Sequence, residues 1–207
     1  MCHFLDALYP DFDTNCSLPL VTSVIHGSKK IQADPVRQKS PLCLDHLSIF
    51  ISQAHFSTSY DDLLFATILS CCFYACHQTG ELIQKNDKSL FDWRKIIKHS
   101  SLVFDQNHAC YHLPYHKGDP FYRGTDILFM PHSVANPITL LLEYLILRDG
   151  WHGAATSLFL HENGSHPTHS WFDAKLFSFL DYSFGGHSAC AGGATYYTGL
   201  GLTKDII

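Results

Sequence analysis

A mainly α (α+β) fold, helical with a small three-stranded antiparallel sheet, is what this sequence predicts, on three observations. Residues 63–76 are apolar on every side, the mark of a helix buried in the middle of a domain. Three short segments, 101–104, 109–113 and 126–129, alternate or are rich in aromatics and are bounded by turn formers, as strands are. Asn136-Pro137 then places a cap and a first-turn proline ahead of a broad apolar face. With 207 residues, 46% of them hydrophobic, the chain suits one domain with a real core and an N-terminal arm.

Taken in order, Met1 to Val24 shows no sustained period and suggests no function. Residues 25–44 are polar and punctuated by Pro35 and Pro41, which reads as a linker. This divides the chain into an arm with a basic linker, 1–42, and a domain, 43–207. Leu44, Leu47, Phe50 and Ile51 recur at helical spacing, so a first helix starts near Cys43. Ser59 or Asp61 caps a second, expected to run from about Leu63 through Glu81 and Leu82. Asp105 to His108 forms the turn between the first two strands, and residues 115–124 form the loop before the third. Leu140, Leu141, Tyr144, Leu145 and Leu147 give the next helix a broad apolar face, with an end expected at Asp149-Gly150. A short buried segment, 157–160, precedes a helix opened by Thr168 or Ser170, with Trp171, Phe172, Leu176, Phe177 and Leu180 inward. Residues 186–195 read as a last helix, where His187 and Cys190 are three apart and share a face. Ala189, Ala191, Gly192, Gly193 and Ala194 carry so little bulk that a strand, a helix or a nucleic-acid backbone can approach closely.

Composition narrows the function. A formal net charge of -5 argues against a free-standing nucleic-acid binder, since phosphate contacts need clustered cations. Their distribution softens this: eleven of the fourteen basic residues lie between Lys29 and Arg123. A solvated face is the plain alternative to a DNA footprint. Eight cysteines are scattered, and Met1 to Leu8 lacks the basic start and apolar run of a signal peptide, so free thiols in a nuclear or cytoplasmic, not secreted, protein are expected. Without secretion the glycosylation patterns at Asn15 and Asn163 carry no meaning. The apolar run is too short to cross a bilayer, so no membrane is expected. Neither Cys71, Cys72, Cys76 and His77 nor His108, Cys110, His112 and His116 form the paired spacing of a zinc site. No phosphate-binding glycine loop or nucleophile elbow is present; neither a metal, a cofactor nor a small-molecule substrate is expected.

Four blocks carry a resemblance. Residues 186–195, Gly-His-Ser-Ala-Cys-Ala-Gly-Gly-Ala-Thr, resemble the His-x-x-Arg box of tyrosine recombinases of the phage-integrase type, in particular the fungal transposon-borne branch, with Cys190 where that family has arginine. Gln78-Thr79-Gly80-Glu81-Leu82 is similar to the family's Arg-x-Gly-Glu-Leu, with Gln78 at the arginine. Residues 115–124 resemble the hairpin loop that carries a lysine to the scissile phosphate, here Lys117, and residues 35–42 resemble the family's basic linker. The resemblance spans about 25–207 and implies an integrase-like catalytic domain, acting on double-stranded DNA, in the nucleus.

What that chemistry requires can be compared residue by residue. Breaking and rejoining DNA through a phosphotyrosine needs a nucleophile, cations on the phosphate oxygens and proton donors. Gln78 keeps a donor without charge and Cys190 keeps neither, whereas the family's two guanidinium groups supply forked, permanent charge. His187 and Lys117 remain for proton transfer and Glu81 to hold the site together, each with an ordinary solvated polar residue as its plain alternative. The family's nucleophilic tyrosine follows a block that would begin beyond Asp205-Ile206-Ile207, and Tyr196 and Tyr197 stand too close to the box and read as packing residues. The expectation is an inactive relic that keeps DNA contacts through Arg94, Lys95, Lys98, Lys117 and Arg123. The alternative is a helical protein-interaction domain that self-associates and binds no DNA.

Overall fold

The computed structural model describes residues 11–32, 39–116, 119, 121 and 123–203. Lys117, Arg37, the other residues of 33–38, Gly118, Pro120, Tyr122, Met1 to Leu8 and Asp205-Ile206-Ile207 lie outside the described residues. The chain divides into two compact units, Met1–Gln38 and Lys39–Ile207. The first contains α1 (Phe12–Cys16) and α2 (Pro19–Gln32). The sequence reading gave neither helix, and α2 extends into the stretch read as linker.

In the second unit the buried apolar run is α4 (Tyr60–Tyr74), of which only Asp61 and Asp62 escape burial. Ser59 caps it, its hydroxyl accepting from the Asp62 amide at 3.4 Å, and the two aspartates lie where a helix N-terminus favours negative charge. Around α4 pack α3 (Leu44–Ser57), α6 (Pro137–His152) and α8 (Ser188–Gly199). Leu47 and Phe50 of α3, Leu140, Leu141 and Tyr144 of α6, and Ala189 of α8 join α4 in one core, while α7 (His169–Leu176) adds Phe172 and Leu176.

The sheet is β1 (Val103–Phe104), β2 (Ala109–Leu113) and β3 (Thr125–Phe129), antiparallel in that order. On β2 Ala109, Tyr111 and Leu113 face the core while His112 is exposed, the period of two that the sequence showed. His112 pairs across the ladder with Asp126 at 2.8 Å.

Several boundaries differ from expectation: β1 begins at Val103 rather than Ser101, α7 ends at Leu176 short of Phe177 and Leu180, α8 runs Ser188–Gly199 rather than 186–195, and two more helix ends are displaced. The central helix does not run on to Leu82: it stops at Tyr74, and the chain turns at Cys76, whose φ of 51 lies in the left-handed region, before the single turn of α5 (Thr79–Leu82). At this corner α8 crosses so closely that its Gly193 could carry no side chain: a Cβ would lie 1.8 Å from the Phe73 carbonyl. The sixth helix passes Asp149-Gly150 and ends at His152, with Gly153 at φ 48. That end is held by Arg148, which is fully buried. Its guanidinium donates to the carbonyls of Gly153 and Ser157, each at 2.7 Å, and to that of Ala155, and pairs with Asp149.

Candidate functional site

Three elements meet where the four site positions fall. The corner after α4 supplies Gln78 and Glu81, and the first turn of α8 supplies His187 and Cys190. They are brought together because α8 can approach α4. A Cβ on Gly192 would lie 2.9 Å from the Phe73 ring of α4 and 2.3 Å from the Leu42 carbonyl ahead of α3, and only glycine fits such contacts. The small residues of the box thus admit another part of the same chain. A hydrogen bond from Thr79 Oγ1 to the Gly186 carbonyl, 3.2 Å, ties α5 to the start of α8.

Within this junction Cys190 occupies the position where the resemblance implies an arginine. Its thiol donates to the Cys76 carbonyl at 2.9 Å. Burial, and then the nearby charge of Glu81, push that thiol above its ordinary pKa, so it stays neutral. The Cys76 thiol is raised to about 11, chiefly by burial. Glu81 is held inward: one carboxylate oxygen accepts from the Gln78 amide at 3.2 Å and lies 3.3 Å from His77 Nδ1. His77 is buried, its ring stacks at 18° on that of Tyr111, 6.1 Å away, and among the described residues neither its Nε2 nor the buried Tyr111 hydroxyl has a hydrogen-bond partner. His187 is exposed and immediately precedes α8, without capping it through its side chain.

Gln78 and Glu81 open onto a cleft of about 360 Å³ shared with Lys85, Lys95, Tyr115 and His169. Lys95 Nζ lies 4.0 Å from the centre of the Tyr115 ring, a favourable placement of a cation on an aromatic face. Lysines 85 and 95 thus bring positive charge to a cleft that Glu81 and Asp92 also line, whereas Cys190 and His187 are not part of its lining. Of the other proposed DNA contacts, Arg94 is exposed and forks onto Asp92, both bonds at 3.0 Å. Lys98 lines a separate surface groove with Trp93 and His112. Arg123 is exposed, 5.5 Å from the Phe121 ring. Tyr196 and Tyr197 pack against the core, and the Tyr197 hydroxyl donates to the Tyr74 carbonyl at 2.9 Å.

The sequence reading passed over His77, Lys85, Tyr115 and His169 as site residues. His77 adjoins one quoted motif and Tyr115 opens another; nothing in the sequence ties Lys85 or His169 to the cleft. Among the described residues no group of three or more His, Cys, Asp or Glu is placed to hold a metal ion. None of their helices is long and apolar enough to cross a membrane.

An α-helical domain with a three-stranded antiparallel sheet, the 186–195 box packed on a buried central helix, has a recombinase-like fold, as known structures show. The chain is similar to a XerH site-specific recombinase crystallised with its difH substrate in a pre-cleavage complex, with a TM-score of 0.56 at 16% identity over 79% of this chain and 44% of that one. It is likewise similar to the same recombinase on a palindromic difH substrate after cleavage, with a TM-score of 0.53 at 15% identity over 80% of this chain and 44% of that one. The chain therefore spans less than half the length of those recombinases. No family model and no curated protein matches it.

Proposed function

We propose that this chain is a DNA-binding domain of the recombination and integration type that holds duplex DNA without cutting it. One observation carries the reading: the thiol of Cys190, at a position where the resemblance calls for a guanidinium, is neutral and bonded to the Cys76 carbonyl. Gln78 is neutral as well, so neither position supplies charge to a phosphate oxygen. If each missing donor costs about 3 kcal/mol of transition-state stabilisation, two cost roughly four orders of magnitude in rate. Residues 1–42 are then an arm with a basic linker and 43–207 the recombinase-like domain, of the fungal transposon-borne branch, working in the nucleus or cytoplasm. His187, Glu81 and, outside the described residues, Lys117 remain as the family's other site positions.

Duplex binding followed by fluorescence anisotropy over a range of salt tests it. The expected result is an affinity that falls steeply with salt and no covalent adduct on a nicked duplex. Salt-insensitive or absent duplex binding overturns the DNA reading, and a covalent adduct overturns the inactivity.

A second reading rests on the charge of -5 and on Leu142, Ile146 and Trp151, which α6 leaves exposed: a non-catalytic interaction domain that associates with itself. Self-association in sedimentation without duplex binding favours it.

A further inference from the structure

Next to the cleft lies a groove of about 610 Å³ that the sequence reading did not single out. Its rim holds Trp93, 71% exposed although it is one of the largest apolar side chains. Two rings meet Trp93 edge-on: Phe91, with centroids 4.5 Å apart and planes at 69°, and His166, 5.8 Å away at 88°. Contacts of this T-shaped kind hold a ring in place, and at 71% exposure most of the Trp93 indole is left open to solvent. The support is rigid. The His166 Nε2 lies 2.7 Å from the hydroxyl of the buried Ser157, and the turn bearing Trp93 is closed by the Lys95 amide donating to the Asp92 carbonyl at 3.0 Å.

Charge complements the aromatic wall. Lys85 and Lys88, both exposed, line the same groove, and among the described residues no carboxylate does. An open indole face beside two ammonium groups matches a nucleotide out of the duplex stack, with its base on the ring and its phosphates on the lysines. A paired base cannot reach such a face, because its neighbours already cover it.

We infer that the groove between Trp93, His166, Lys85 and Lys88 binds an unpaired nucleotide of a DNA strand. This rests on the reading that the partner is DNA, and it adds a preference that duplex binding alone does not require. The groove lies apart from Cys190 and His187, so the role is one of holding a strand that has left the helix.

Labelled oligothymidylate of 20 nucleotides and a blunt 20-base-pair duplex serve as probes for the full chain and two variants, Trp93→Ala and Lys85→Glu with Lys88→Glu. The expected result is that the full chain binds oligothymidylate and that Trp93→Ala weakens this about tenfold or more while leaving duplex affinity within twofold. The double lysine variant weakens oligothymidylate binding and flattens its salt dependence. Because all three residues are exposed, circular dichroism should show the fold intact in each. Oligothymidylate binding that is absent, or unchanged in Trp93→Ala, overturns the inference whatever the duplex does. Loss of duplex binding alone, with oligothymidylate still dependent on Trp93, overturns the duplex reading and leaves the groove standing.

Discussion

The end of α6 and the junction of α4 with α8 each pose the question of where an arginine goes, and they answer it oppositely. At the first, the Arg148 guanidinium is buried and donates to the carbonyls of Gly153, Ala155 and Ser157. At the second, where the resemblance calls for a guanidinium, Cys190 makes one thiol bond to the Cys76 carbonyl. A guanidinium turned on its own backbone stabilises a loop and has little left for a ligand. A thiol in a close helix crossing keeps the junction tight and uncharged. Positive charge near the candidate site therefore comes from lysines of the surrounding loops, Lys85 and Lys95.

The comparison breaks most directly at Arg148. An Arg148→Ala chain loses the donors of several buried carbonyls at once and should be destabilised by about 3–5 kcal/mol, read as a lower urea midpoint at unchanged slope. Arg148→Lys keeps the charge but not the fork, and should recover only part of the loss. A midpoint for Arg148→Ala within error of the parent would mean that water replaces those bonds.

The second effect concerns how closely α8 sits. Gly193→Ala places a methyl group 1.8 Å from the Phe73 carbonyl, which forces the helices apart and should cost about 1–3 kcal/mol. Gly150→Ala in α6 meets nothing within 4 Å and should instead stabilise by roughly 0.5–1 kcal/mol through helix propensity. Thermal melts of the two variants moving in opposite directions would separate close packing from helix propensity.

Restoring charge sharpens the contrast further. Gln78→Arg with Cys190→Arg should raise duplex affinity and steepen its logarithmic salt dependence by about 0.9 for each phosphate gained. An unchanged slope would show that neither position faces bound DNA. Cys190→Ala removes one thiol bond and should leave the slope as it was.

These contrasts also mark what the sequence could and could not convey. The central helix was legible because its apolar run has no polar face, and the second strand because Ala109, Tyr111 and Leu113 alternate with polar neighbours. The break at Cys76 was not: the apolar pattern runs through it, and the corner packs against Gly193, more than a hundred residues away. Gln78, Glu81, His187 and Cys190 could be named from motif spacing. The cleft that Gln78 and Glu81 border could not, since Lys85, Lys95 and His169 reach it from loops and helix ends whose placement is tertiary. Arg148 was equally hidden, because a lone arginine at the end of an apolar helix usually points to solvent.

The smallest expected effect is a pH dependence at the same α4–α8 junction. His132 is half-buried, its ring stacked on that of Tyr74 with centroids 3.8 Å apart and its Nε2 3.4 Å from the Tyr197 hydroxyl. Burial lowers its pKa from the ordinary value of 6.5, so the folded chain prefers the neutral ring. Above 6.5 folded and unfolded chains are both neutral at this site, and its stability is fully present. As pH falls through 6.5 the unfolded chain takes up a proton first, and stability declines until the folded ring is protonated too, below which no more is lost. His166 is lowered in the same way by burial, and then by His161, so the total decline has at least two sources. Replacing His132 by Gln should remove one of them, making the unfolding free energy fall less between pH 8 and pH 5 than in the parent. Parallel pH curves for the two chains would mean that the stacked ring takes up its proton as readily in the fold as in the unfolded chain.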